Sequence, residues 1–358
     1  MSRLGPPGAI VCVPARNEAE ALPALLASLA AQRGFSPEAR LGVIVAANGC
    51  SDGTAEIARA FAESADALDL RVLEVKLPPD AAHVGTARRA ALDAGAAWLD
   101  EAGLGGHGVL LSTDADARVP ADWVRANLAA LGAAEIVGGA LVIDADDVPP
   151  ALARLHAAIA RYWQEVRAIE DRLDPPAYDP APRHGDHTGA SLALSARLYR
   201  DVGGLPPLPG GEDNALVARV VEAGGRLRHD PGVSVRVSNR VIGRASGGMA
   251  QDMKRREAVI RGEDSYRLPH PAHWRTLVLD RAALRAAWRR GEAEAFLRGR
   301  GLGTEAIAAI DIAACPNDIA FVERASRRLP PVPAPAELPV EEALGLFEPL
   351  TEDIRGAA

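Results

Sequence analysis

Short, continuous apolar runs alternate with stretches of helical spacing through the N-terminal part of the chain. Runs that are apolar at every position are typical of parallel strands buried on both faces, whereas Leu22, Leu25 and Leu29 recur at the spacing of a helix. Strands that alternate with helices form a parallel sheet with right-handed crossovers. We therefore predict an α/β fold with a mainly parallel, twisted sheet flanked by helices. The predicted strands are 9–13, 41–47, 70–75, 109–113 and 136–143.

The pattern changes after residue 143. Residues 149–171 have the apolar spacing of one long helix, and the sequence from Gln251 onward is helical in pattern and rich in Ala, Arg and Glu. Within that part, residues 330–339 are Pro-rich and are predicted to be irregular. Near the other end of the chain, Pro14 is predicted to end the first strand.

Composition limits the class of protein. The chain has 358 residues and is 48% hydrophobic and 25% charged, which suits one large domain with additions, or two domains. A net charge of −8 argues against a non-specific nucleic-acid binder. Cys12, Cys50 and Cys315 show no paired spacing and are predicted to be reduced thiols. No apolar run approaches the length of a membrane span, so a soluble, cytoplasmic protein is predicted.

Polar clusters follow three of the predicted strands, beginning at Arg16, Asn48 and Asp114. In an open α/β sheet, ligands bind beyond the carboxyl ends of the strands, so these clusters predict a nucleotide site. Asp114 and Asp116 are spaced i, i+2, which places both side chains on the same side of an extended backbone. Such a pair suits Mg²⁺ or Mn²⁺ bound together with a diphosphate. The alternative is a turn in which Asp116 opens the next helix.

Five short motifs occur in order along the chain. They are Val13-Pro14-Ala15-Arg16-Asn17-Glu18, Asn48-Gly49-Cys50-Ser51-Asp52-Gly53-Thr54, Gly85-Thr86-Ala87-Arg88, Asp114-Ala115-Asp116 and Gly211-Glu212-Asp213. This order resembles the family 2 glycosyltransferases of GT-A fold. The resemblance implies a nucleotide-diphosphate sugar as donor, a divalent cation (Mn²⁺ or Mg²⁺) as cofactor, and usually inversion at the anomeric carbon.

The resemblance implies a catalytic centre and a metal site. Asp213 would be the catalytic base, with Glu212 beside it, and Asp116 would ligate the metal together with Asp114. A metal in this position acts as a Lewis acid on the leaving diphosphate. The alternative for Glu212 and Asp213 is helix capping, because acidic residues are favoured in the first turn of a helix.

Ligands for the donor and the acceptor are implied in the same way. Asn48 stands where many family members have an aspartate that contacts the base, which weakens an assignment of uracil. Arg88 would add positive charge beside the phosphates, and its alternative is a solvated helix surface. The donor nucleotide is assigned to Pro14, Ala15, Arg16, Asn17, Glu18, Asn48, Asp52, Arg88, Asp114 and Ala115. An acceptor or a phosphate is assigned to His187, Arg240 and Arg244.

On this resemblance, residues 1–245 form the glycosyltransferase domain, and 246–358 form a helical C-terminal extension. Within the domain, 1–118 is the nucleotide-binding half and 119–245 the acceptor-binding half. The acceptor is a small molecule or a glycan of unknown identity. No nucleic-acid partner and no transmembrane segment are expected, and dimerisation through the extension is left open.

Three other functions remain open from the sequence. A retaining glycosyltransferase of the same fold differs in the anomeric configuration of its product. A sugar-phosphate nucleotidyltransferase shares the metal aspartate, but the glycine-rich loop expected after its first strand is missing from residues 14–18. The third is a non-catalytic nucleotide-sugar-binding protein. A dinucleotide site is excluded, because the G-x-G-x-x-G match at 103–108 lies after a helix and before a strand, the reverse of the required order.

Overall fold

The computed structural model describes residues 5, 8–78, 81–144, 148–240, 248–331, 333–348 and 350. The chain divides into two compact units. The first comprises Met1–Asp144, Asp186–Val220 and Leu227–Gln251, and the second comprises Ala145–Gly185, Val221–Arg226 and Asp252–Ala358. The second unit thus includes a stretch, Ala145–Gly185, that the sequence predicts to lie in the N-terminal domain.

Among the described residues, one seven-stranded sheet forms the framework of the first unit. Its strands are β1 (Ala9–Ala15), β2 (Leu41–Asn48), β3 (Leu68–Val75), β4 (Val109–Ser112), β5 (Ile136–Ile143), β6 (Leu192–Ser195) and β7 (Leu227–Val237). Their order across the sheet is β3-β2-β1-β4-β6-β5-β7. All neighbours are parallel except β6, which is antiparallel to both β4 and β5. The predicted mainly parallel sheet is confirmed.

Helices connect the strands and make up most of the C-terminal part. They are α1 (Leu22–Ala30), α2 (Thr54–Ser64), α3 (Val84–Glu101), α4 (Trp123–Ala130), α5 (Pro150–Leu173), α6 (Ala196–Asp201), α7 (Glu212–Glu222), α8 (Met249–Ile260), α9 (Pro271–Arg289), α10 (Ala293–Gly299), α11 (Thr304–Ala308), α12 (Asp318–Ser326) and α13 (Val340–Gly345). The predicted long helix is α5, and the predicted helical C-terminal region is confirmed. Within the described part of the chain, no helix is both long and apolar enough to cross a membrane.

Both faces of the sheet are covered, because successive residues of a strand point to opposite sides. Val11 of β1 belongs to the same core cluster as Leu25 of α1 and Trp123 of α4. Cys12 points the other way, toward α3. There Gly95 allows close packing, since a Cβ at this position would lie 2.9 Å from the Cys12 Sγ. Burial on both faces explains why this strand is apolar at every position.

The prediction that Pro14 ends the first strand is wrong, because β1 continues to Ala15. On one side, Pro14 pairs in register with Ala46 of β2. On the other side, the pairing with β4 stops at Cys12. Proline lacks a backbone N–H, and it is tolerated here because the ladder needs none from this position.

Helix α5 explains why Ala145–Gly185 belongs to the second unit. Its buried side chains form one stripe that shares a core cluster with Val278 of α9. Trp163, one of the apolar residues of this helix, is 38% exposed. It lies at the border of the stripe, in edge contacts with Tyr162 and Trp274.

The Pro-rich stretch 330–339 is irregular over most of its described residues, as predicted. Its end differs, because strand β9 (Leu338–Pro339) pairs with strand β8 (Arg267–Leu268) in a two-stranded antiparallel ladder. A proline at the end of a short edge strand leaves the ladder intact.

Gly85 in the first turn of α3 gives a test of how closely the first unit is packed. A Cβ there would overlap the backbone carbonyl of Leu208, which cannot rotate away as a side-chain end would. We expect Gly85→Ala to lower the free energy of unfolding by about 2 kcal/mol through overpacking, measured by urea denaturation. The control Gly106→Ala adds a Cβ with nothing within 4 Å. Equal losses in the two variants would contradict this account of the packing.

Candidate functional site

A cavity of about 410 Å³ lies in the first unit, beyond the carboxyl ends of β1, β2 and β4, where α/β sheets bind ligands. It brings together most of the residues predicted for the site. The predicted residues that line it are Pro14, Ala15, Arg16, Glu18, Asn48, Arg88, Asp114, Ala115, Asp116, Glu212, Asp213 and Arg240. Asn17, Asp52 and His187 are not among the lining residues. Arg244 lies outside the described residues.

Arg88, whose side chain projects from α3, is buried and joins several parts of the site. Its Nε donates to Glu212 Oε1 at 3.0 Å, and its Nη2 donates to Asp114 Oδ1 at 2.7 Å. Its Nη1 donates to the Ser112 hydroxyl at 2.7 Å and to the Gly189 carbonyl at 2.8 Å. The guanidinium thus links α3, β4, α7 and the segment before β6.

Two carboxylates keep Arg88 charged although it is buried. Burial lowers the pKa of a guanidinium, but the charges of Asp114 and Glu212 outweigh this effect and raise the pKa of Arg88 above its usual value. The alternative of a solvated helix surface is wrong, because the side chain is 4% exposed. Nε, Nη1 and Nη2 of Arg88 all donate to protein atoms, which include the carboxylates of Asp114 and Glu212.

Glu212 and Asp213 begin α7 but have different surroundings. Glu212 is buried, and its carboxylate is paired with Arg88. Asp213 is half-buried and lines the cavity. One of its oxygens accepts the N–H of Gly189 at 2.7 Å, and the other accepts the N–H of Asn214 at 2.8 Å. Each carboxylate oxygen has two acceptor positions, so contacts to the helix start and a chemical role are compatible.

Asp116 lies among other charged groups. Burial is the main cause that raises the pKa of Asp116 to about 6; the charges of Asp114 and Glu18 add to the rise, and Arg240 opposes it. Both Nη atoms of Arg240 donate to Glu18, at 2.8 and 2.7 Å. Its Nε lies 3.1 Å from Asp116 Oδ2. The acids therefore create a strongly negative environment that favours cations.

The donor set suits a hard divalent cation. In the described part of the chain, no three His, Cys, Asp or Glu side chains group closely enough to hold a metal by themselves. Asp114 and Asp116 supply two carboxylates, and Mg²⁺ or Mn²⁺ in such sites takes further ligands from water and substrate phosphates. The residues present therefore fit a cation that binds together with a diphosphate.

Asn17 and Asp52 hold two loops of the site together. Asn17 has a φ of 55°, which asparagine tolerates better than most residues, and its Oδ1 accepts the Ser51 N–H at 2.9 Å. Asp52 accepts the Ala19 N–H at 2.9 Å and the Thr54 N–H at 3.1 Å. Burial raises the pKa of Asp52, but these bonds and the Thr54 hydroxyl lower it below its usual value. Both residues hold the loops in place without lining the cavity themselves.

Asn48 offers an unused acceptor to the cavity. It ends β2 and is 2% exposed. Its Nδ2 lies 3.5 Å from the His83 carbonyl oxygen, whereas its Oδ1 has no hydrogen-bond partner among the described residues. A buried acceptor without a partner costs stability, and a donor group on a bound ligand would remove that cost.

The three residues assigned to an acceptor or a phosphate lie in different places. Arg240 lines the cavity, as described above. His187 instead lies beside His229, with 3.1 Å between Nδ1 of the first ring and Nε2 of the second. Arg244 has no described position.

Gly189 and Thr188 belong to the site but were not predicted from the sequence. Gly189 contacts Arg88 through its carbonyl and Asp213 through its N–H, and a Cβ there would overlap the guanidinium. Thr188 lines the cavity, and its hydroxyl has no partner among the described residues. The sequence feature that could have indicated them is the run of small and apolar residues 188–194. This run leads into strand β6, which pairs antiparallel with β4 beside the site.

Removing the Arg88 guanidinium should destabilise the folded protein. We expect Arg88→Met to lower the free energy of unfolding by about 3–5 kcal/mol, because buried Glu212 and half-buried Asp114 lose their counter-charge. The measurement is urea denaturation at pH 7. The control is Arg89→Met, at the next residue of α3. Arg89 pairs with Asp93, and their side chains are 39% and 49% exposed. This variant should lower the free energy of unfolding by less than about 1 kcal/mol. Similar small losses in both variants would contradict the role given to Arg88.

Asp116→Asn should stabilise the protein in a pH-dependent way. The pKa of Asp116 is raised from 3.8 to about 6 in the folded protein, so stability is lost as the pH rises through this window and the carboxyl ionises. Asparagine avoids that loss. We expect the variant to be more stable than the wild type by about 1–3 kcal/mol at pH 8, with little difference at pH 4. Thermal melts across this range test it, and a difference that does not change with pH would contradict it.

Comparison with known proteins gives a family match over part of the chain and several solved structures of low sequence identity. Residues 10–176 match the model of the family described as glycosyl transferase family 2. No curated protein matches the chain. Among solved structures, S. aureus TarS in complex with UDP-GlcNAc is 16% identical, with 97% of this chain and 92% of that chain covered and a TM-score of 0.47.

Two further structures have similar scores. Mannosyltransferase PcManGT from Pyrobaculum calidifontis, in complex with GDP-Man and Mn²⁺, is 19% identical, with 90% of this chain and 86% of that chain covered and a TM-score of 0.47. Glucosyl-3-phosphoglycerate synthase from M. tuberculosis is 16% identical, with 73% and 84% covered and a TM-score of 0.37. Likeness at this level assigns neither a substrate nor a mechanism. Residues 10–176, which carry the strand-end motifs of the cavity, thus match the model of glycosyl transferase family 2.

Proposed function

We propose that the protein transfers a sugar from a nucleotide-diphosphate sugar to an acceptor hydroxyl, with a divalent cation and with inversion at the anomeric carbon. The observation that carries this proposal is the convergence of two acid sites on one cavity. Asp114 and Asp116 follow β4, and Asp213 begins α7. The first pair suits a cation that binds with a diphosphate, and Asp213 suits a general base.

The nucleotide is assigned to the side of the cavity that follows β1 and β2, within residues 1–118. Ala15 and Arg16 line this side, and the free Oδ1 of Asn48 would accept an N–H of the base. Uracil and guanine both carry ring N–H donors, so this contact accepts either base. The diphosphate would then lie toward Asp114 and Asp116, because β4 is the neighbour of β1 on its other side.

The reaction exchanges one C–O bond for another. Asp213 takes the proton of the acceptor hydroxyl as that oxygen bonds to the anomeric carbon, and the bond from this carbon to the diphosphate breaks, its electron pair leaving with the phosphate oxygen. The N–H groups of Gly189 and Asn214 hold the carboxylate in place for this transfer. The bound cation supplies Lewis-acid stabilisation of the leaving diphosphate.

Glu212 and Arg88 are positioning residues in this proposal. Their ion pair, at 3.0 Å, holds the start of α7 and therefore Asp213. Asp114 is held by the same guanidinium at 2.7 Å. The buried Arg88 guanidinium thus fixes both acid sites relative to each other. Sugar transfer between two substrates needs such preorganisation.

Residues 119–245 are assigned to acceptor binding, with His187 as a candidate contact. The sugar and the acceptor are left to experiment. Dimerisation through the C-terminal helices is a separate proposal, tested by the molecular mass of the protein in solution.

A nucleotide panel combined with two variants tests this function. UDP, GDP, dTDP and CDP are each added with and without Mn²⁺, and unfolding is followed; a ligand at about 100 times its Kd adds about 2.7 kcal/mol of stability. We expect Asp116→Ala to lose the cation-dependent part of binding. Asp213→Asn keeps an oxygen for the Gly189 N–H and should retain donor binding while kcat falls by about 10²–10⁴.

The other functions give different results in the same assays. Full activity of Asp213→Asn together with retention of the anomeric configuration would favour a retaining enzyme. Pyrophosphate release from a nucleoside triphosphate and a sugar phosphate would favour a nucleotidyltransferase. Donor binding without transfer or hydrolysis across a broad acceptor panel would favour a non-catalytic protein.

A further inference from the structure

Arg240 lies between two acids, where a cation is expected. Its guanidinium forms a fork on Glu18 at 2.8 and 2.7 Å, and its Nε lies 3.1 Å from Asp116 Oδ2. The Glu18 and Asp116 side chains are 7% and 20% exposed. Charge-assisted bonds to acids this far from water are considerably stronger than an exposed ion pair.

A divalent cation and this guanidinium compete for Asp116. A cation that ligates Oδ2 of Asp116 would meet the Nε–H of Arg240. At either carboxylate oxygen, the cation and the guanidinium would be two positive charges a few ångströms apart, which repel strongly where little water is present. The cation therefore gains less from Asp116 as long as Arg240 stays in place. An anion that draws Arg240 away would remove this cost.

We propose that Arg240 is a built-in counter-cation that neutralises Asp116 in the donor-free protein and moves to the donor diphosphate when the metal binds. This inference rests on the proposed function, because it uses the cation and the diphosphate of that site. Arg240 lines the cavity, and guanidinium groups bind phosphate oxygens in the same bidentate geometry as carboxylate oxygens. Asp116 thus exchanges a guanidinium for a metal, and Arg240 exchanges a carboxylate for a phosphate.

The exchange makes the binding of the metal and the binding of the donor depend on each other. The metal alone must displace Arg240 from Asp116, and without the diphosphate the guanidinium gains no new partner in exchange. The diphosphate alone draws Arg240 away and leaves Asp116 without a counter-charge. Bound together, the two ligands give Asp116 and Arg240 a new partner each, and linkage requires that each ligand raises the affinity for the other by the same factor.

Mn²⁺ binding tests the proposal without any measurement of activity. The affinity for Mn²⁺ alone is measured by electron paramagnetic resonance of the free ion, first without nucleotide and then with the nucleoside diphosphate that stabilises the protein most. We expect Arg240→Gln to raise the nucleotide-free affinity about tenfold and to reduce the factor by which the nucleotide raises Mn²⁺ affinity by a similar amount. Arg240→Met serves as a second variant if the first does not fold.

A matched control separates loss of the specific contact from loss of charge. Arg16 also lines the cavity, and its Nη1 donates to the Ala82 carbonyl at 2.7 Å. Arg16→Gln therefore removes the same charge from the cavity wall and leaves Asp116 and Arg240 as they are. We expect its nucleotide-free Mn²⁺ affinity to stay within about twofold of the wild type.

Two outcomes would overturn the proposal and leave the proposed function standing. One is an unchanged nucleotide-free Mn²⁺ affinity in Arg240→Gln, with nucleotide-dependent binding preserved, which would make Arg240 a structural brace. The other is an equal rise in Arg16→Gln, which would reduce the effect to general charge. If the wild type bound no Mn²⁺ with any of the four nucleotides, the metal site of the proposed function would fail as well, a pattern distinct from both.

Discussion

The buried Arg88 guanidinium is the contact on which the arrangement of the site depends. It is held by a carboxylate from each acid site, Asp114 and Glu212, and by the carbonyl of Gly189. Gly189 in turn donates its N–H to Asp213. Such a cluster adds little net stability in comparison with an apolar core, but breaking it is costly. Its value is geometric, because it fixes helix α7 and the end of β4 to the same cation.

The sheet and the position of the cavity could be predicted because both follow from local patterns. Strands buried on two faces are apolar throughout, and the carboxyl ends of parallel strands meet at one edge, so polar residues after Ala15, Ala47 and Thr113 had to lie near one another. Local patterns gave wrong predictions where a neighbouring element decides the length of a strand or the burial of a side chain. Pro14 remains in its strand because β4 ends beside it, and Trp163 is partly exposed because it lies at the border of the buried stripe of α5.

The partners of charged side chains could not be predicted, because they are distant in sequence. Arg88 and Glu212 are 124 residues apart, and Arg240 and Glu18 are 222 residues apart. A single sequence contains no signal for such pairs. Gly189 illustrates the same limit, since its lack of a side chain matters only because Arg88 passes over it. Sequence reasoning therefore named the acids that line the cavity, but it did not foresee the contacts of Arg88 with the protein.

The charges around the cavity bear on the form in which a donor enters it. The described lining residues include five carboxylates, Glu18, Asp114, Asp116, Glu212 and Asp213, and three guanidiniums, Arg16, Arg88 and Arg240. The wall is thus negative before any ligand arrives, and a bare diphosphate would be repelled by it. A diphosphate that carries a divalent cation is nearly neutral. Under the proposed function, electroneutrality would therefore favour entry of the donor as a metal complex, so that the cation would be required for donor binding before any bond is broken.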